Sequence, residues 1–237
     1  MIVACWSGPR NISTALMRSW SSRKDTFVTD EPFYSYYLKE TKLKHPMYSE
    51  IINKYPSTYS EIVNYLINEI PENKKIWYQK HMAHHILDLK NIEWVANCKN
   101  CILLRHPKEV ISSYCNKNKL NSVEELGYKQ QYEIVKFLKK KNKSFIVIDS
   151  NELLKNPEKV LSTWCKKINI KFDRSMLKWK RGNHANDGIW WKSWYDNVIK
   201  TSGFQKYEIK DINIENKYDS IYNESMKYYS FLKEDKG

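Results

Sequence analysis

The residues from Ser7 to Thr14 have the composition of an anion-binding loop. They follow a short apolar run and precede a helical pattern, and they read Ser-Gly-Pro-Arg-Asn-Ile-Ser-Thr. Backbone N–H groups at a helix N-terminus bind anions. Arg10 adds a cation at the rim of the loop, and Ser13 and Thr14 add hydroxyls on the first helical turn. The alternative is an ordinary N-cap at Ser13, which leaves the preceding Gly-Pro-Arg unexplained.

A second turn from strand to helix carries another cation. The apolar run that starts at Cys101 ends at Arg105, and Ser113 follows eight residues later on a predicted helix. Eight residues are about two helical turns, so Arg105 and Ser113 can converge on one phosphate. Ligands of open α/β sheets bind at the carboxyl ends of the strands. We therefore interpret this turn as a second anion anchor, with a solvated strand end as the alternative.

The two turns together resemble the nucleotide site of the sulfotransferases that use 3′-phosphoadenosine-5′-phosphosulfate (PAPS). The resemblance implies that the first loop holds the 5′-phosphosulfate and that the second turn holds the 3′-phosphate. Lys180-Arg181-Gly182 resembles the family's basic element that closes on the 3′-phosphate. Ala15 departs from the family, because cytosolic members have an aromatic residue there that stacks on adenine. The cofactor-binding residues implied by the resemblance are Gly8, Pro9, Arg10, Asn11, Ile12, Ser13, Thr14, Arg105, Ser113, Arg181 and Gly182.

Sulfuryl transfer also needs a base for the proton of the acceptor, and two residues are candidates. Glu31 resembles the glutamate of the tyrosylprotein branch, and His81 resembles the histidine of the cytosolic branches. We favour Glu31, with Arg10 stabilising the transition state and Lys80 as a second cation on the sulfuryl group. The structural alternatives are a helix N-terminal charge for Glu31 and a satisfied polar residue for His81. Because positioning and electrostatics dominate such a transfer, we predict that it requires no metal ion.

Three other patterns have structural interpretations that we prefer. His81, His84 and His85 lack a Cys or carboxylate partner at zinc-enzyme spacing. The apolar run ending at Asp149 resembles a metal-binding Walker B strand, but no Walker lysine accompanies it. The Trp-rich segment, residues 179–195, is predicted to pack in the core, with an acceptor-pocket wall or an adenine stack as the alternative.

The elements that must position these residues follow a regular alternation. Apolar β-rich runs alternate with helical patterns, which indicates a parallel sheet covered on both faces. We predict one α/β domain over residues 1–237, a three-layer parallel β-sheet flanked by helices, with the P-loop NTPase-like sulfotransferase fold that the resemblance implies. The resemblance ends near residue 205, before the C-terminal tail at about 206–237. Predicted strands cover residues 2–6, 26–29, 75–79, 101–104 and 144–148. Predicted helices cover residues 13–22, 33–38, 57–70, 108–114, 123–141, 157–168 and 221–233.

Composition excludes several classes of protein. The 237 residues include 40 basic and 27 acidic side chains, and only six of the basic ones are arginine. A lysine-rich surface argues only weakly for specific nucleic-acid binding, because base reading favours arginine. The chain has no apolar run near the roughly 18 residues that a membrane span needs. Five cysteines, an odd number, and no visible signal peptide predict reduced thiols in the cytoplasm.

The predicted function is therefore a PAPS-dependent sulfotransferase. It would move a sulfuryl group to a hydroxyl or amine of a small-molecule acceptor, with 3′-phosphoadenosine 5′-phosphate (PAP) as the second product. A P-loop nucleotide kinase and a basic nucleic-acid-binding protein are the alternatives. The kinase would need Mg²⁺ and ATP, yet the first loop lacks the second glycine and the lysine of a Walker A motif.

Overall fold

A five-stranded parallel sheet forms the centre of the protein, which the computed structural model describes over residues 1–208 and 212–235. The spatial order of the strands is β2-β3-β1-β4-β5, and every neighbouring pair is parallel. This confirms the predicted α/β fold. The strands are β1 (Ile2–Ser7), β2 (Thr26–Asp30), β3 (Ile76–Met82), β4 (Lys99–Leu104) and β5 (Phe145–Asp149).

Helices cover both faces of the sheet. The α-helices of the described ranges are α1 (Ser13–Ser21), α2 (Tyr34–Thr41), α3 (Tyr48–Lys54), α4 (Tyr59–Leu66), α5 (Pro107–Cys115), α6 (Tyr128–Lys140), α7 (Ser150–Lys155), α8 (Pro157–Lys167), α9 (Trp191–Trp194) and α10 (Asp219–Glu234). The sequence patterns did not predict α3, α7 or α9. The helix predicted over residues 123–141 is divided, because Gly127 has a φ of 76° and separates a 3₁₀ turn at Val123–Leu126 from α6.

The strands place alternate residues on opposite faces of the sheet, as β geometry requires. On one face, Trp6, Trp77 and Ile102 pack against α4, α5, α6 and α10. On the other face, Cys5 and Tyr78 pack against α1, α7 and α8. All five side chains are completely buried, so the sheet is covered on both sides and only its ends are open to a ligand.

Two further groups of contacts complete the fold. The Trp-rich segment does not pack on the sheet: its Trp190 and Tyr195 join α2 and α3 in a third cluster. The C-terminal helix α10 packs on α5 and α6 and buries Leu232.

Asp149 caps α7 by accepting hydrogen bonds from the N–H groups of residues 151 and 152, as its structural interpretation predicts. A search of the described residues finds no helix with the length and apolarity to cross a bilayer.

Candidate functional site

A cavity of about 460 Å³ lies at the carboxyl edge of the sheet. Its volume is within the usual range of small-molecule sites. The loop after β1, the ends of β2 and β3, the turn after β4 and part of the Trp-rich segment contribute to its wall. Ten of the fourteen predicted site residues line it, namely Pro9, Arg10, Asn11, Ile12, Ser13, Thr14, Glu31, Lys80, Arg105 and Ser113.

The loop after β1 is held in a strained shape by contacts with other elements. Arg10 and Ile12 have φ values of 61° and 58°, a left-handed conformation that costs a non-glycine residue about 1–3 kcal/mol. Asn11 ties the loop to β4, since its Nδ2 donates to the carbonyl oxygen of Leu103 at 3.1 Å. Its own carbonyl accepts from Ser150 Oγ at 3.0 Å, which ties the loop to α7. Asn11 thus fixes the path of the loop.

Gly8 has a packing role and does not line the cavity. A Cβ atom at this position would lie 2.2 Å from the carbonyl oxygen of Leu126. No real Cβ tolerates such a distance, so only glycine lets the loop after β1 approach the turn before α6. Gly8 thus has a role in backbone packing, and its contact with a cofactor stays a prediction.

The first turn of α1 forms one wall of the cavity. Ser13, Thr14 and Ala15 all line it. The N–H groups of a first helical turn have no partner within their helix, and Ile12 at the N-cap has no polar side chain to satisfy them. Together with the hydroxyls of Ser13 and Thr14, this helix end is an environment that favours an anion.

The two predicted anion anchors meet in the cavity. Arg10 Nε donates to Ser113 Oγ at 2.9 Å, and Arg105 Nη1 donates to the carbonyl oxygen of Arg10 at 2.9 Å. Arg105 Nε is also paired with Glu109 at 2.7 Å. Burial, and next the positive charge of Arg105, lower the pKa of Arg10. Two guanidinium groups therefore share one half-buried region, an arrangement that an anion would stabilise.

Lys80, which also lines the cavity, is the centre of a buried network. Its Nζ donates to Asp30 Oδ1 at 2.9 Å, to Glu31 Oε1 at 2.6 Å and to the Tyr195 hydroxyl at 2.7 Å. An ammonium group has three N–H donors, and these three bonds use all of them. Lys80 in this arrangement cannot also donate to a sulfuryl oxygen, so it holds Glu31 in place instead.

Glu31 is the carboxylate that this network presents to the cavity. It follows β2 with a φ of 43°, and its side chain is 12% exposed. Burial is the largest influence on its pKa and raises it, while the charge of Lys80 opposes the shift and that of Asp30 adds to it. A carboxylate with a raised pKa that faces a ligand cavity has the properties of a general base.

His81, the other candidate base, does not line the cavity. The strand β3 extends beyond its predicted end at residue 79, so consecutive residues Lys80 and His81 point to opposite faces of the sheet. His81 stacks on Trp6 with 4.3 Å between ring centroids, and its Nε2 is 3.2 Å from Gln79 Oε1. Burial lowers its pKa to about 3. This geometry favours Glu31 over His81.

Arg181 and Gly182 also lie away from the cavity wall. The Arg181 side chain is exposed, and the space around a Cβ at Gly182 is empty. The N–H of Gly182 donates to the carbonyl oxygen of Ile199 at 2.7 Å, which anchors this turn on its own segment. The structure does not bring these two residues together with Arg105 and Ser113.

Asp30 is a site residue that the sequence analysis missed, and Tyr195 entered it only as part of the Trp-rich segment, with a pocket wall as the alternative role. The Tyr195 hydroxyl lies 2.8 and 2.6 Å from the two Asp30 carboxylate oxygens and accepts from Trp190 Nε1 at 3.3 Å. Asp30 had a recognisable signal, because it is the last residue of β2 and lies beside Lys80 in the parallel register. The contact between Tyr195 and Asp30 had none, since 165 residues separate them in the chain.

Buried polar contacts fasten the Trp-rich segment to the rest of the fold. Arg18 Nη2 and Asp187 Oδ2 form an ion pair at 2.6 Å with side chains 1% and 0% exposed. The next residue, Gly188, donates its N–H to Asp30 Oδ2 at 3.0 Å. Trp194 and Tyr195 of the same segment line the cavity, and Trp190 is buried as its predicted packing role requires. Across the described ranges, no three His, Cys, Asp or Glu residues are grouped to hold a metal ion.

Residues 1–235 match the family model described as the sulfotransferase domain. Two curated relatives come from Arabidopsis thaliana. The branched-chain-amino-acid aminotransferase-like protein 2 is 34% identical over 209 residues, which are 87% of this chain and 37% of that protein. The branched-chain-amino-acid aminotransferase-like protein 1 is 35% identical over 203 residues, which are 86% of this chain and 36% of that protein. The chain thus spans little more than a third of these relatives.

Two solved structures share the fold. The sulfotransferase domain from the curacin biosynthetic pathway aligns with a TM-score of 0.57 and 17% identity, covering 98% of this chain and 97% of that one. The sulfotransferase from Alicyclobacillus acidocaldarius aligns with a TM-score of 0.56 and 10% identity, covering 97% and 94%. Nearly the whole of each chain takes part in these alignments.

Proposed function

The chain belongs to the sulfotransferase domain family, and from that premise we propose that it transfers a sulfuryl group from PAPS to the hydroxyl or amine of a small-molecule acceptor. The observation that carries the proposal is a single cavity lined by two kinds of functional group. The first turn of α1, Arg10, Arg105 and Ser113 line it, and so does Glu31. The cations and N–H groups suit a polyanionic donor, and the carboxylate suits proton removal.

The residues that supply the cations and N–H groups fit PAPS by charge and by donor type. The helix end with Ser13 and Thr14 would hold the 5′-phosphosulfate, and Arg105 with Ser113 would hold the 3′-phosphate. The lowered pKa of Arg10 reflects burial and the neighbouring Arg105, and a bound anion would relieve this repulsion. In PAPS the sulfuryl group is bonded to the 5′-phosphate, which departs as part of PAP.

The transfer step uses Glu31 and Arg10. The acceptor oxygen or nitrogen forms a bond to sulfur while the bond between sulfur and the phosphate oxygen breaks, which releases PAP. Glu31 takes the proton of the acceptor, and its link to Lys80 keeps the carboxylate aimed at the cavity. Arg10 is the cation placed to stabilise the charge that develops on the departing phosphate oxygen. The Lys80 network orients the base.

A thermal-shift comparison followed by a transfer assay tests this proposal. A ligand that binds the native state raises the melting temperature, so PAP should raise it more than AMP or Mg-ATP at equal concentration. Incubation with ³⁵S-labelled PAPS and a mixture of small alcohols and amines should then label an acceptor. Stabilisation by Mg-ATP without stabilisation by PAP would support the nucleotide kinase instead and overturn the proposal.

A further inference from the structure

Aromatic and imidazole rings form part of the cavity wall. We call Tyr34, His45, His84, His85 and Trp194 the ring wall; all five line the cavity. The Tyr34 hydroxyl is 2.9 Å from His45 Nδ1 and accepts from Trp194 Nε1 at 3.3 Å. These bonds join parts of the chain on both sides of the cavity, so the ring wall is a connected surface.

Stacking fixes the orientation of the rings. His85 lies between two tyrosines, with its ring centroid 5.0 Å from that of Tyr34 and 4.7 Å from that of Tyr37. The interplanar angles are 4° and 24°, so all three rings are nearly parallel. His84 meets Tyr37 edge-on at 5.3 Å. His85 thus has both ring faces covered, so it presents its ring edge to the cavity, and an aromatic ligand can pack against ring edges in an edge-to-face arrangement.

The ring wall carries no charge near neutral pH. The Nδ1 atoms of His84 and His85 are buried and have no hydrogen-bond partner within the described part of the chain, so nothing there stabilises an added proton. Burial lowers the pKa of His84 to about 3 and lowers those of His45 and His85 as well. The three histidines are therefore neutral.

The Lys80 network beside the ring wall has a net negative charge. Lys80 contributes plus one, and Asp30 and Glu31 contribute minus one each, so the network has a net charge of minus one. Lys117, which also lines the cavity, is paired with Asp196. A carboxylate, sulfate or phosphate on an acceptor would thus meet repulsion from the network and find no unpaired cation in the ring wall.

We propose that the ring wall is the acceptor site and that it takes an uncharged, planar aromatic alcohol while rejecting acceptors that carry an anionic group. This inference rests on the proposed function. The ring edges supply apolar contact surface for an aromatic ring, and Glu31 lines the same cavity. The acceptor hydroxyl would donate its proton to Glu31 while its ring lies against the wall. Selectivity against anions follows from the charge of the Lys80 network.

A matched set of acceptors tests the proposal on the unmodified protein. With PAPS as donor, kcat/KM is measured for 2-naphthol, for 6-hydroxy-2-naphthoate and for the aliphatic alcohol cyclohexanol. Repulsion between two like charges about 10 Å apart, at an effective dielectric constant of about 20, should lower kcat/KM for the naphthoate by about tenfold or more relative to 2-naphthol. We expect 2-naphthol to be the best of the three. Equal rates for naphthol and naphthoate, or a faster reaction with cyclohexanol, would overturn the proposal.

A charge placed in the wall provides a second test. His84→Lys adds a cation at a half-buried wall position and should raise the rate ratio of naphthoate to naphthol by about tenfold. His184→Lys is the matched control, because His184 is half-buried but does not line the cavity, and its ratio should not change. The PAP-induced shift in melting temperature reports whether each variant is folded. An unchanged ratio in a folded His84→Lys protein contradicts the assignment.

Direct binding separates failure of this inference from failure of the proposed function. Fluorescence titration measures binding of 2-naphthol and the naphthoate with PAP present or absent, and it needs no turnover. If PAP does not bind and no acceptor is labelled, the proposed function fails. If PAP binds and transfer occurs but the naphthoate binds as tightly as naphthol, only the acceptor assignment fails.

Discussion

Arg10 Nε and Ser113 Oγ lie 2.9 Å apart, although 103 residues separate them in the chain. The bond joins the loop after β1 to helix α5, and Arg105 reinforces it by donating to the Arg10 carbonyl. The two turns that were inferred separately from the sequence are therefore one structural unit. Changes in any of these side chains should affect ligand binding more than folding, because all three lie at the cavity surface.

Arg10→Ala should reduce kcat by about 10²–10³-fold, the usual effect of removing one group that stabilises transition-state charge. The melting temperature should change little, since the side chain is only half-buried. The measurement is transfer from labelled PAPS, with Arg10→Lys as the charge-preserving control that should retain more activity. Full activity in Arg10→Ala would remove Arg10 from the proposed mechanism.

Arg105→Ala should weaken PAP binding by about 10–100-fold, which corresponds to the loss of a hydrogen bond to a charged group. Binding of AMP, which has no 3′-phosphate, should change much less. Isothermal titration with the two nucleotides measures the difference. Arg174→Ala is the control, because Arg174 is exposed and paired only with Glu158 among the described contacts. Equal losses for PAP and AMP would contradict the 3′-phosphate assignment.

The activity should fall as the pH drops through the pKa of Glu31, because only the ionised carboxylate can accept a proton. Burial raises this pKa above its ordinary value of 4.5, so the loss should begin at a higher pH than for a free glutamate. Asp30→Asn removes a negative charge that raises the pKa, and it should move the acid limb of kcat/KM to lower pH. Glu31→Gln should lose about 10²–10⁴-fold in rate, and the exposed Glu61→Gln should lose none. An acid limb that stays in place in Asp30→Asn would argue against Glu31.

Arg18→Ala or Asp187→Ala alone should reduce the free energy of unfolding by about 3–5 kcal/mol, because each leaves a buried charge without its partner. The double variant should lose less than the sum of the two. Chemical denaturation of the four proteins gives this coupling directly. Additive losses would mean that the ion pair does not fasten the Trp-rich segment.

Sequence patterns predicted the elements whose signals are local. Each of the five strands contains a short apolar run, and each was recognised to within a few residues of its ends. The end of β3 was misplaced because Lys80 and His81 are polar, and hydropathy does not reveal that both are buried. The interruption before α6 depends on the left-handed conformation of Gly127, which the surrounding helical pattern concealed.

Part of the site was also predicted, because some of its residues have local sequence signals. Arg10 and Arg105 each end an apolar strand, so their position at the sheet edge follows from local sequence. Tyr195 and Asp187 act through contacts with residues more than 160 positions away, and no local pattern encodes such contacts. Arg181 belongs to the Lys-Arg-Gly element that resembles the family's 3′-phosphate contact, but its side chain is exposed and does not line the cavity. The turn that contains it is held by the hydrogen bond from the Gly182 N–H to the Ile199 carbonyl oxygen.

The Tyr195 hydroxyl that contacts Lys80 and Asp30 is contributed late in the chain, whereas the loop after β1 comes near its beginning. A protein cut within the Trp-rich segment would retain Arg10 and Arg105 yet lose the contact that holds the Lys80 network. Under the proposed function, binding of the donor and alignment of the base thus depend on different stretches of polypeptide. A clipped molecule would then hold nucleotide without transferring its sulfuryl group, so turnover would require an intact Trp-rich segment.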